Sequence, residues 1–404
     1  MRSASSRLRL VVTGLVAQHP RLGGVAWDYL QYVLGLASLG HEVTYLEDSG
    51  QWPYSLGTRS ARRPRVVKDP AANVAHLAKL MERFGLANRW AYRFPLTSTW
   101  YGLPKKERRE ITETADLLID VSGALEHPEE HRGRGRSVYI DTDPVFTQLK
   151  LAAGASEFAK RVAAHDRHFS FGERVALLAI PTPYRWRPTR QPVVLSEWRP
   201  CNRPRKAFTT VLSWTSYPPL RFRGETYGQK DVEFARFLSL PARAVPIALE
   251  VAIAGTRHAD WEGDAATPPP PETLRGAGFR VVDAYHVCAD LDRYRSYIEA
   301  SRGEWSIQKN GYVRGQPGWF SGRSACYLAA GRPVVVQDTG LAGVLPTGDG
   351  LLCFRSVEEA EAALREVDAD HDRHAAAARA LAAAYFDAEL VLPPLLEEAL
   401  GSDA

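Results

Sequence analysis

A glycine-punctuated loop that runs into a short helix is the stretch of this sequence best suited to chemistry. The loop covers residues 306–318, and a helix is predicted over residues 321–330. Free backbone N–H groups at a helix N-terminus, together with the helix dipole, favour a bound phosphate or diphosphate. Arg314 and Arg323 flank this point, and an arginine fork matches phosphate geometry well. The alternative is an ordinary loop and helix with solvated arginines.

The apolar segments of the chain alternate between strand and helix patterns. In the first half, strands are predicted over residues 8–13, 41–46, 115–121 and 137–143. In the second half, strands are predicted over residues 208–214, 247–254, 279–283, 334–336 and 351–354. This alternation predicts an α/β fold with two doubly wound, Rossmann-like domains. A proline-rich stretch at 181–204 favours a linker there, so we predict domains over 1–204 and 205–384 and a C-terminal helix over 385–404.

Composition excludes several classes of function. A chain of 404 residues with 45% hydrophobic residues is long enough for two cores, and its formal charge of +4 gives no support for nucleic-acid binding. The four cysteines are scattered, without metal-ligand spacing. No stretch approaches the ~20 apolar residues of a membrane span. We expect a cytoplasmic protein without a membrane span, able to form a homodimer. The arginine and alanine usage is compatible with a bacterial enzyme of secondary metabolism.

Polar residues follow the predicted strands of the first half. His19, Gly23 and Gly24 lie in the loop after the first strand, which lacks the G-x-G-x-x-G pattern of nicotinamide-dependent dehydrogenases. Asp120 and Asp143 stand at the ends of later strands. Ligands of doubly wound sheets bind at these carboxyl ends, so all five are candidate site residues. The alternatives are an exposed loop histidine and aspartates that cap the following helix or turn.

Four segments resemble the GT-B glycosyltransferases, and among them the glycosyltransferase-4-like group. After the glycine loop, LASLGHEV at 36–43 resembles the L-x-x-x-G-H-x-V signature of that group. The strand and turn at 251–255 resemble the second-domain strand that precedes a basic residue contacting diphosphate. ACYLAAGRPVVVQDTG at 325–340 resembles the donor motif, and it is the most specific of the four. Tyr385-Phe386-Asp387 and the helix after them resemble the tail that crosses back onto the first domain.

The resemblance implies a fold and an activity. It implies a GT-B fold, in which two domains face a cleft, and a glycosyltransferase that uses a nucleoside-diphosphate sugar and a small-molecule acceptor. It implies neither a cofactor nor a metal, although Asp141-Thr142-Asp143 literally matches D-x-D in the first half. The residues that we then expect to bind the donor are Lys230, Arg257, Glu304, Arg314, Ser321, Gly322, Arg323 and Ser324. For the acceptor we expect Gly23, Gly24 and Asp120, with His19 and Asp143 as candidate catalytic bases.

The donor motif departs from the family pattern at two positions. Retaining members carry two glutamates eight residues apart, and these positions fall on Gly318 and Cys326. Either another residue such as Glu304 replaces them, or the enzyme inverts the anomeric configuration. Two other functions stay open: a two-domain nucleotide-sugar epimerase, and a catalytically inactive GT-B-like binding protein.

Overall fold

A computed structural model describes residues 7–55, 66–201, 204–254 and 270–401. Strands in this part of the chain are β1 (Arg9–Thr13), β2 (Glu42–Glu47), β3 (Trp90–Phe94), β4 (Thr99–Gly102), β5 (Leu117–Val121), β6 (Arg136–Asp141), β7 (Arg167–Ser170), β8 (Trp186–Pro188), β9 (Ala207–Ser213), β10 (Leu220–Phe222), β11 (Glu225–Tyr227), β12 (Ala248–Ala254), β13 (Arg280–Asp283), β14 (Gly303–Ser306), β15 (Val334–Gln337) and β16 (Leu351–Phe354).

The α-helices are α1 (Gly23–Ser38), α2 (Ala71–Arg83), α3 (Lys105–Thr114), α4 (Phe146–Ala152), α5 (Ser156–Ala163), α6 (Lys230–Phe234), α7 (Leu240–Arg243), α8 (Pro270–Gly276), α9 (Ala284–Val287), α10 (Leu291–Glu299), α11 (Asn310–Gly315), α12 (Gly322–Ala329), α13 (Val357–Ala369), α14 (His371–Tyr385) and α15 (Ala388–Leu400). Short 3-10 helices cover Pro128–His131, Val175–Leu177, Leu195–Glu197 and Ala235–Phe237. None of the described helices is long and apolar enough to cross a membrane.

The first sheet has the strand order β4-β3-β2-β1-β5-β6-β7-β8. Its strands pair in parallel, except that β4 runs antiparallel to β3 at one edge. The central strands are continuous apolar runs: every residue of Leu117–Val121 is buried. Such runs are typical of parallel strands that helices cover on both faces. The predicted strands of the first half are therefore confirmed as parts of one doubly wound sheet.

The second sheet has the order β13-β12-β9-β14-β15-β16, and all its pairs are parallel. Its central strand β14 is missing from the sequence prediction, because Gly303–Ser306 has a glycine, a glutamate and a serine where a buried strand is normally apolar. The loop predicted over 306–318 is also wrong in part, because Asn310–Gly315 forms α11. The helix predicted over 321–330 is confirmed as α12.

The C-terminal helix returns to the first domain. α15 packs against α1, where the Cβ of a residue replacing Gly35 would lie 2.7 Å from Ala388 Cβ. Arg136 of β6 donates a hydrogen bond to the Gly401 carbonyl oxygen at 2.6 Å. Before α15, the backbone of Val193 exchanges hydrogen bonds with Phe386 and Ala388. The predicted fold class is thus confirmed. The boundary at 204 stays a prediction, although the first sheet ends before it and the second begins after it.

Candidate active site

The two sheets face each other across a cleft that holds a cavity of about 420 Å³. The walls include the carboxyl ends of strands from both sheets, among them Val121 of β5 and Ser213 of β9. This is the edge at which parallel α/β sheets bind ligands. Of the predicted site residues, those that line the cavity are His19, Gly24, Lys230, Ser321, Gly322 and Arg323. Among the described residues, the predicted ones that do not line it are Gly23, Asp120, Asp143, Glu304, Arg314 and Ser324. Arg257 lies outside the described residues.

The N-terminus of α12 forms part of the second-domain wall. Ser321 is its N-cap residue, yet its side chain makes no capping hydrogen bond. In the first turn, the Ser324 hydroxyl is fully buried and has no hydrogen-bond partner among the described residues. Gly322 lines the cavity, so the backbone itself forms the surface here. Because no side chain among the described residues caps this helix end, its N–H groups and positive dipole can bind an anion from the cavity.

Arg323 is anchored in its own domain. Its Nε donates to Glu304 Oε1 at 2.6 Å, and its two terminal nitrogens donate to the Val211 carbonyl oxygen at 2.7 Å and to Ser306 Oγ at 2.6 Å. Glu304 is fully buried, and the Arg323 side chain is 12% exposed. Each of the three acceptors is a strand residue, so the guanidinium fastens α12 to β9 and β14. Arg323 therefore supplies positive charge to the cavity from a fixed position.

Lys230 is the second cation of this wall. It begins α6 and lines the cavity. Desolvation lowers its pKa well below the ordinary value, and the neighbouring charges of Arg323 and Lys309 lower it further, against an opposing contribution from Glu304. An anion placed between these cations would favour the charged form of the lysine, because opposite charges attract. This wall is thus built to receive negative charge.

His19 lies on the opposite wall, in the loop between β1 and α1. Its ring stacks on Tyr54 with the centroids 5.1 Å apart. Burial lowers the pKa of His19 to about 4, so the ring is neutral at pH 7. The preceding loop residues are held by Glu47, whose carboxylate accepts hydrogen bonds from the backbone N–H groups of Ala17 at 2.8 Å and Gln18 at 2.7 Å. A neutral imidazole on a fixed loop can accept a proton from a substrate hydroxyl.

Asp28 is a cleft residue that sequence reasoning missed. It lies on α1, its side chain opens into the cavity, and it is the one carboxylate among the described residues that line the cavity. Its side chain is exposed to the cleft, and desolvation there raises its pKa to about 7, although the charge of Arg323 opposes this shift. The available signal was an aspartate among the apolar residues Val25, Trp27 and Leu30, which a solvent-exposed helix position explains equally well.

Asp120 lies beneath the cavity and is 1% exposed. Its Oδ1 accepts hydrogen bonds from Thr13 Oγ1 and from the Ala124 backbone N–H, both at 2.8 Å. Its Oδ2 lies 3.2 Å from Nε2 of His165, another buried residue. These contacts tie β1 to β5 and hold the start of the following loop. Asp120 supports the floor of the cavity from below.

Asp143 connects the two domains. Lys309 Nζ donates to its Oδ1 at 2.8 Å, and the hydroxyls of Tyr217 and Tyr312 donate to the same carboxylate. Burial by itself raises the pKa of Asp143, but Lys309 and the two hydroxyls outweigh burial and lower it below the ordinary value. The Lys309 ammonium also faces the ring of Phe146 at 5.1 Å. The lone pairs of Asp143 are therefore already engaged across the cleft.

The glycine pair at the start of α1 is required by close packing. A Cβ on Gly23 would lie 2.2 Å from the carbonyl oxygen of Asp290, a second-domain residue. A Cβ on Gly24 would lie 3.0 Å from the Tyr294 ring. The structure thus brings the glycine loop against the second domain, and Gly24 also borders the cavity. Arg314 lies elsewhere, paired with Glu225 and 42% exposed.

Comparisons with known proteins bear on the fold. No protein-family model and no curated protein matches the sequence. Solved structures do match it along nearly the whole chain. HepE from Anabaena, solved in complex with UDP and glucose, gives a TM-score of 0.56 at 10% identity, covering 98% of this chain and 100% of that one. Its complex with UDP-glucose gives 0.55 at 12% identity, with 97% and 99% covered. Sucrose-phosphate synthase from Thermosynechococcus elongatus gives 0.51 at 13% identity, with 97% and 99% covered.

These neighbours are built from two Rossmann-like domains that face a cleft, as this chain is. The chain has the GT-B fold. The order of its sheets and the returning helix α15 agree with that assignment. At these identities the likeness shows the fold, and the chemistry has to be argued from the cleft of this GT-B protein itself.

Gly318 and Cys326 are the two positions at which the sequence resemblance places the donor-motif glutamates. Gly318 has a positive φ of 69°, a backbone conformation that a glutamate rarely adopts. Cys326 is buried on α12, where its Sγ accepts a hydrogen bond from Gln31 Nε2 at 3.8 Å. The surroundings of both positions thus suit the residues present and would disfavour glutamate. Among the described residues, no group of three or more histidine, cysteine, aspartate or glutamate side chains is arranged to hold a metal ion.

Proposed function

We propose that the protein is a glycosyltransferase that moves a sugar from a nucleoside-diphosphate sugar to a small-molecule acceptor in the interdomain cleft. The main support is the division of the cavity into a positive wall and a wall with proton acceptors. The positive wall holds the uncapped N-terminus of α12, Lys230 and Arg323, and the other wall holds His19. HepE, which shares the fold, has been solved with UDP and with UDP-glucose, which makes UDP the first nucleotide to test.

In this proposal the donor lies against the second domain. The diphosphate binds the N–H groups of residues 322–324 and the ammonium of Lys230, while Arg323 contributes charge from its anchored position. Arg257, outside the described residues, stays a proposed contact of the same diphosphate. Helix end and cations together neutralise the leaving group, so the proposed reaction requires no metal. The acceptor lies against the first domain, beside Gly24.

His19 is the proposed catalytic base. Of the two candidate bases, it lines the cavity, whereas Asp143 is engaged by three donors. The neutral ring takes the proton of the acceptor hydroxyl as its oxygen forms a bond to the anomeric carbon. The bond from that carbon to the diphosphate oxygen breaks, and the diphosphate leaves with the electron pair. Attack from the side opposite the diphosphate inverts the configuration at the anomeric carbon.

A thermal-shift screen with UDP, GDP, TDP and ADP tests the donor site. We expect one diphosphate to stabilise the protein selectively, by about 2.7 kcal/mol at a hundredfold excess over Kd. Lys230→Met is expected to weaken this stabilisation, and Lys79→Met, on the exposed face of α2, serves as the matched control. A flat response of the folded protein to all four compounds would overturn the nucleotide-sugar proposal.

Turnover experiments separate a transferase from the two other functions. Acceptor-dependent release of the diphosphate supports a transferase, conversion of the donor sugar without an acceptor supports an epimerase, and binding without turnover supports a binding protein. We expect His19→Ala to lower kcat by about 10²–10⁴-fold while diphosphate binding persists. His127→Ala, at a half-exposed histidine far along the chain, is the control. Unchanged kcat in His19→Ala would contradict its role as the base.

A further inference from the structure

The Asp28 carboxylate lies directly beside the proposed diphosphate site. A Cβ built on Gly322, the first residue of α12, would be 3.0 Å from Asp28 Oδ1. The carboxylate makes no cap on that helix, since the first turn has no side-chain capping hydrogen bond. An anion held by the N–H groups of this turn would therefore lie within a few ångströms of Asp28. A carboxylate and a phosphate cannot both stay ionised so close together without a large energetic cost.

In the part of the chain that the structure describes, the charged and titratable groups that interact with Asp28 come from three elements. α12 presents Arg323, whose charge favours the carboxylate form, and the thiol of Cys326. α10 presents the hydroxyl of Tyr294, and α1 itself presents the hydroxyls of Tyr29 and Tyr32. The three tyrosines and the thiol stay neutral near pH 7 because burial raises their pKa values.

Among the described residues, Arg323 is the cation whose charge lowers the pKa of Asp28. Arg323 is already bound to Glu304, so it cannot fully compensate a second carboxylate and a diphosphate together. Lys230 supports the diphosphate from farther along the same wall, next to Arg323. Negative charge added at the N-terminus of α12 therefore makes the ionised form of Asp28 less favourable than it is in the empty cleft.

We propose that Asp28 takes up a proton when the donor diphosphate binds, and that the neutral carboxyl group then donates a hydrogen bond to a phosphate oxygen. The inference rests on the proposed function, because it needs a diphosphate at α12. The proton comes from solvent and no covalent bond changes. During transfer, the same hydrogen bond strengthens as negative charge develops on the leaving diphosphate. Asp28 is in this view a donor-binding residue, on the side of the cleft that also carries the acceptor.

The position of Asp28 in the cleft supports this inference, because desolvation there raises its pKa to about 7 even without a diphosphate nearby. Protonating Asp28 so that a diphosphate can bind then costs little free energy at neutral pH, and this cost increases as the pH rises. Donor affinity is therefore expected to be highest below the pKa that Asp28 has without a diphosphate, and to fall as the pH rises through that value. The fall reaches up to about tenfold per pH unit when one proton is linked to binding.

The test is calorimetric titration of the wild-type protein with UDP-, GDP-, TDP- or ADP-glucose, whichever binds, from about pH 6 to about pH 8. Both phosphoryl groups of these probes are esterified, so their charge is constant over this range. We expect the affinity to fall with pH, and titrations in two buffers of different ionisation enthalpy to show uptake of about one proton near pH 8. Asp28→Asn keeps a hydrogen-bond donor without a titrating group. Its affinity is therefore expected to match that of the wild type at low pH and to fall less steeply as the pH rises.

Asp372→Asn, at a fully exposed aspartate of α14, is the matched control and should follow the wild type. A pH-independent wild-type affinity, or no proton uptake, overturns the inference without a variant. If the affinity of folded Asp28→Asn falls as steeply with pH as that of the wild type, the inference is also overturned, and the proton belongs to another group such as Lys230. If none of the four probes binds the wild type, the proposed function fails and this inference fails with it. Binding without a linked proton leaves the proposed function intact.

Discussion

Two ion pairs border the cleft, and they have different structural roles. Arg323–Glu304 lies inside the second domain, with N···O at 2.6 Å and the glutamate fully buried. Lys309–Asp143 joins the second domain to the first, with N···O at 2.8 Å and side-chain exposures of 16% and 27%. The first pair fastens a helix to the strands beside it. The second connects two units that each have their own sheet.

The difference shows how burial within one domain, or a position between two domains, changes what an ion pair contributes. The guanidinium of Arg323 has three fixed acceptors, so the pair defines the shape of one wall. The ammonium of Lys309 is partly open to water and shares the Asp143 carboxylate with two tyrosine hydroxyls. Loss of the lysine would therefore leave Asp143 with two other hydrogen-bond donors. We therefore expect stability to depend mainly on the first pair and the relation between the domains mainly on the second.

Glu304→Ala is expected to give the largest effect. It leaves the buried Arg323 charge without its carboxylate, and removing one partner of a buried pair costs about 3–5 kcal/mol. The free energy of unfolding, from guanidinium titration followed by fluorescence, measures it. Glu304→Gln keeps an oxygen acceptor and is the control, with a smaller expected loss. If Glu304→Ala lowered the free energy of unfolding by less than the loss of an exposed ion pair does, the role assigned to the Arg323–Glu304 pair would be contradicted.

Asp143→Ala is expected to have an intermediate effect. It removes the shared acceptor of one ammonium and two hydroxyls, and unpaired buried donors cost about 1–3 kcal/mol. Because the pKa of Asp143 is lowered, its stabilising contribution is complete above the ordinary value near 3.8 and is lost as the pH falls through the lowered pKa. Its measured loss of unfolding free energy is therefore expected to be the same at pH 5 and pH 7 and to shrink in strong acid. A loss that grew on acidification would reverse this sign and refute the assignment.

Asp292→Asn is expected to have the smallest effect. Asp292 of α10 pairs with Arg83 of α2 across the domains at 2.7 Å, but the two side chains are 55% and 37% exposed. Exposed pairs contribute about 0–1 kcal/mol, and salt screens them. Unfolding at low and at high ionic strength measures this contribution. If Asp292→Asn lowered the free energy of unfolding as much as Asp143→Ala does, solvent exposure would not explain the different contributions of these ion pairs.

Much of the fold follows from local sequence patterns. The apolar runs at β1, β5, β12 and β15 predict buried parallel strands because a strand covered on both faces needs apolar residues throughout. The glycine loop before α12 predicts an anion site at a helix end, and the cavity lies there. β14 escaped prediction because its polar residues are matched by tertiary partners: Glu304 by Arg323, and Ser306 by the same guanidinium. A local sequence pattern indicates burial only where the buried residues are apolar, so it does not reveal a buried polar pair.

The sequence alone determined that this chain has two doubly wound halves and where several of their buried parallel strands lie. Only the tertiary structure decided which polar residues meet. Asp28 and Gly322 are nearly 300 positions apart and come together because α1 packs beside α12 across the cleft. Asp143 and Lys309 meet for the same reason, and this withdraws Asp143 from the cavity. Such contacts depend on how the two sheets pack against each other. The hydrophobic periodicity and the composition of a single segment do not specify that packing.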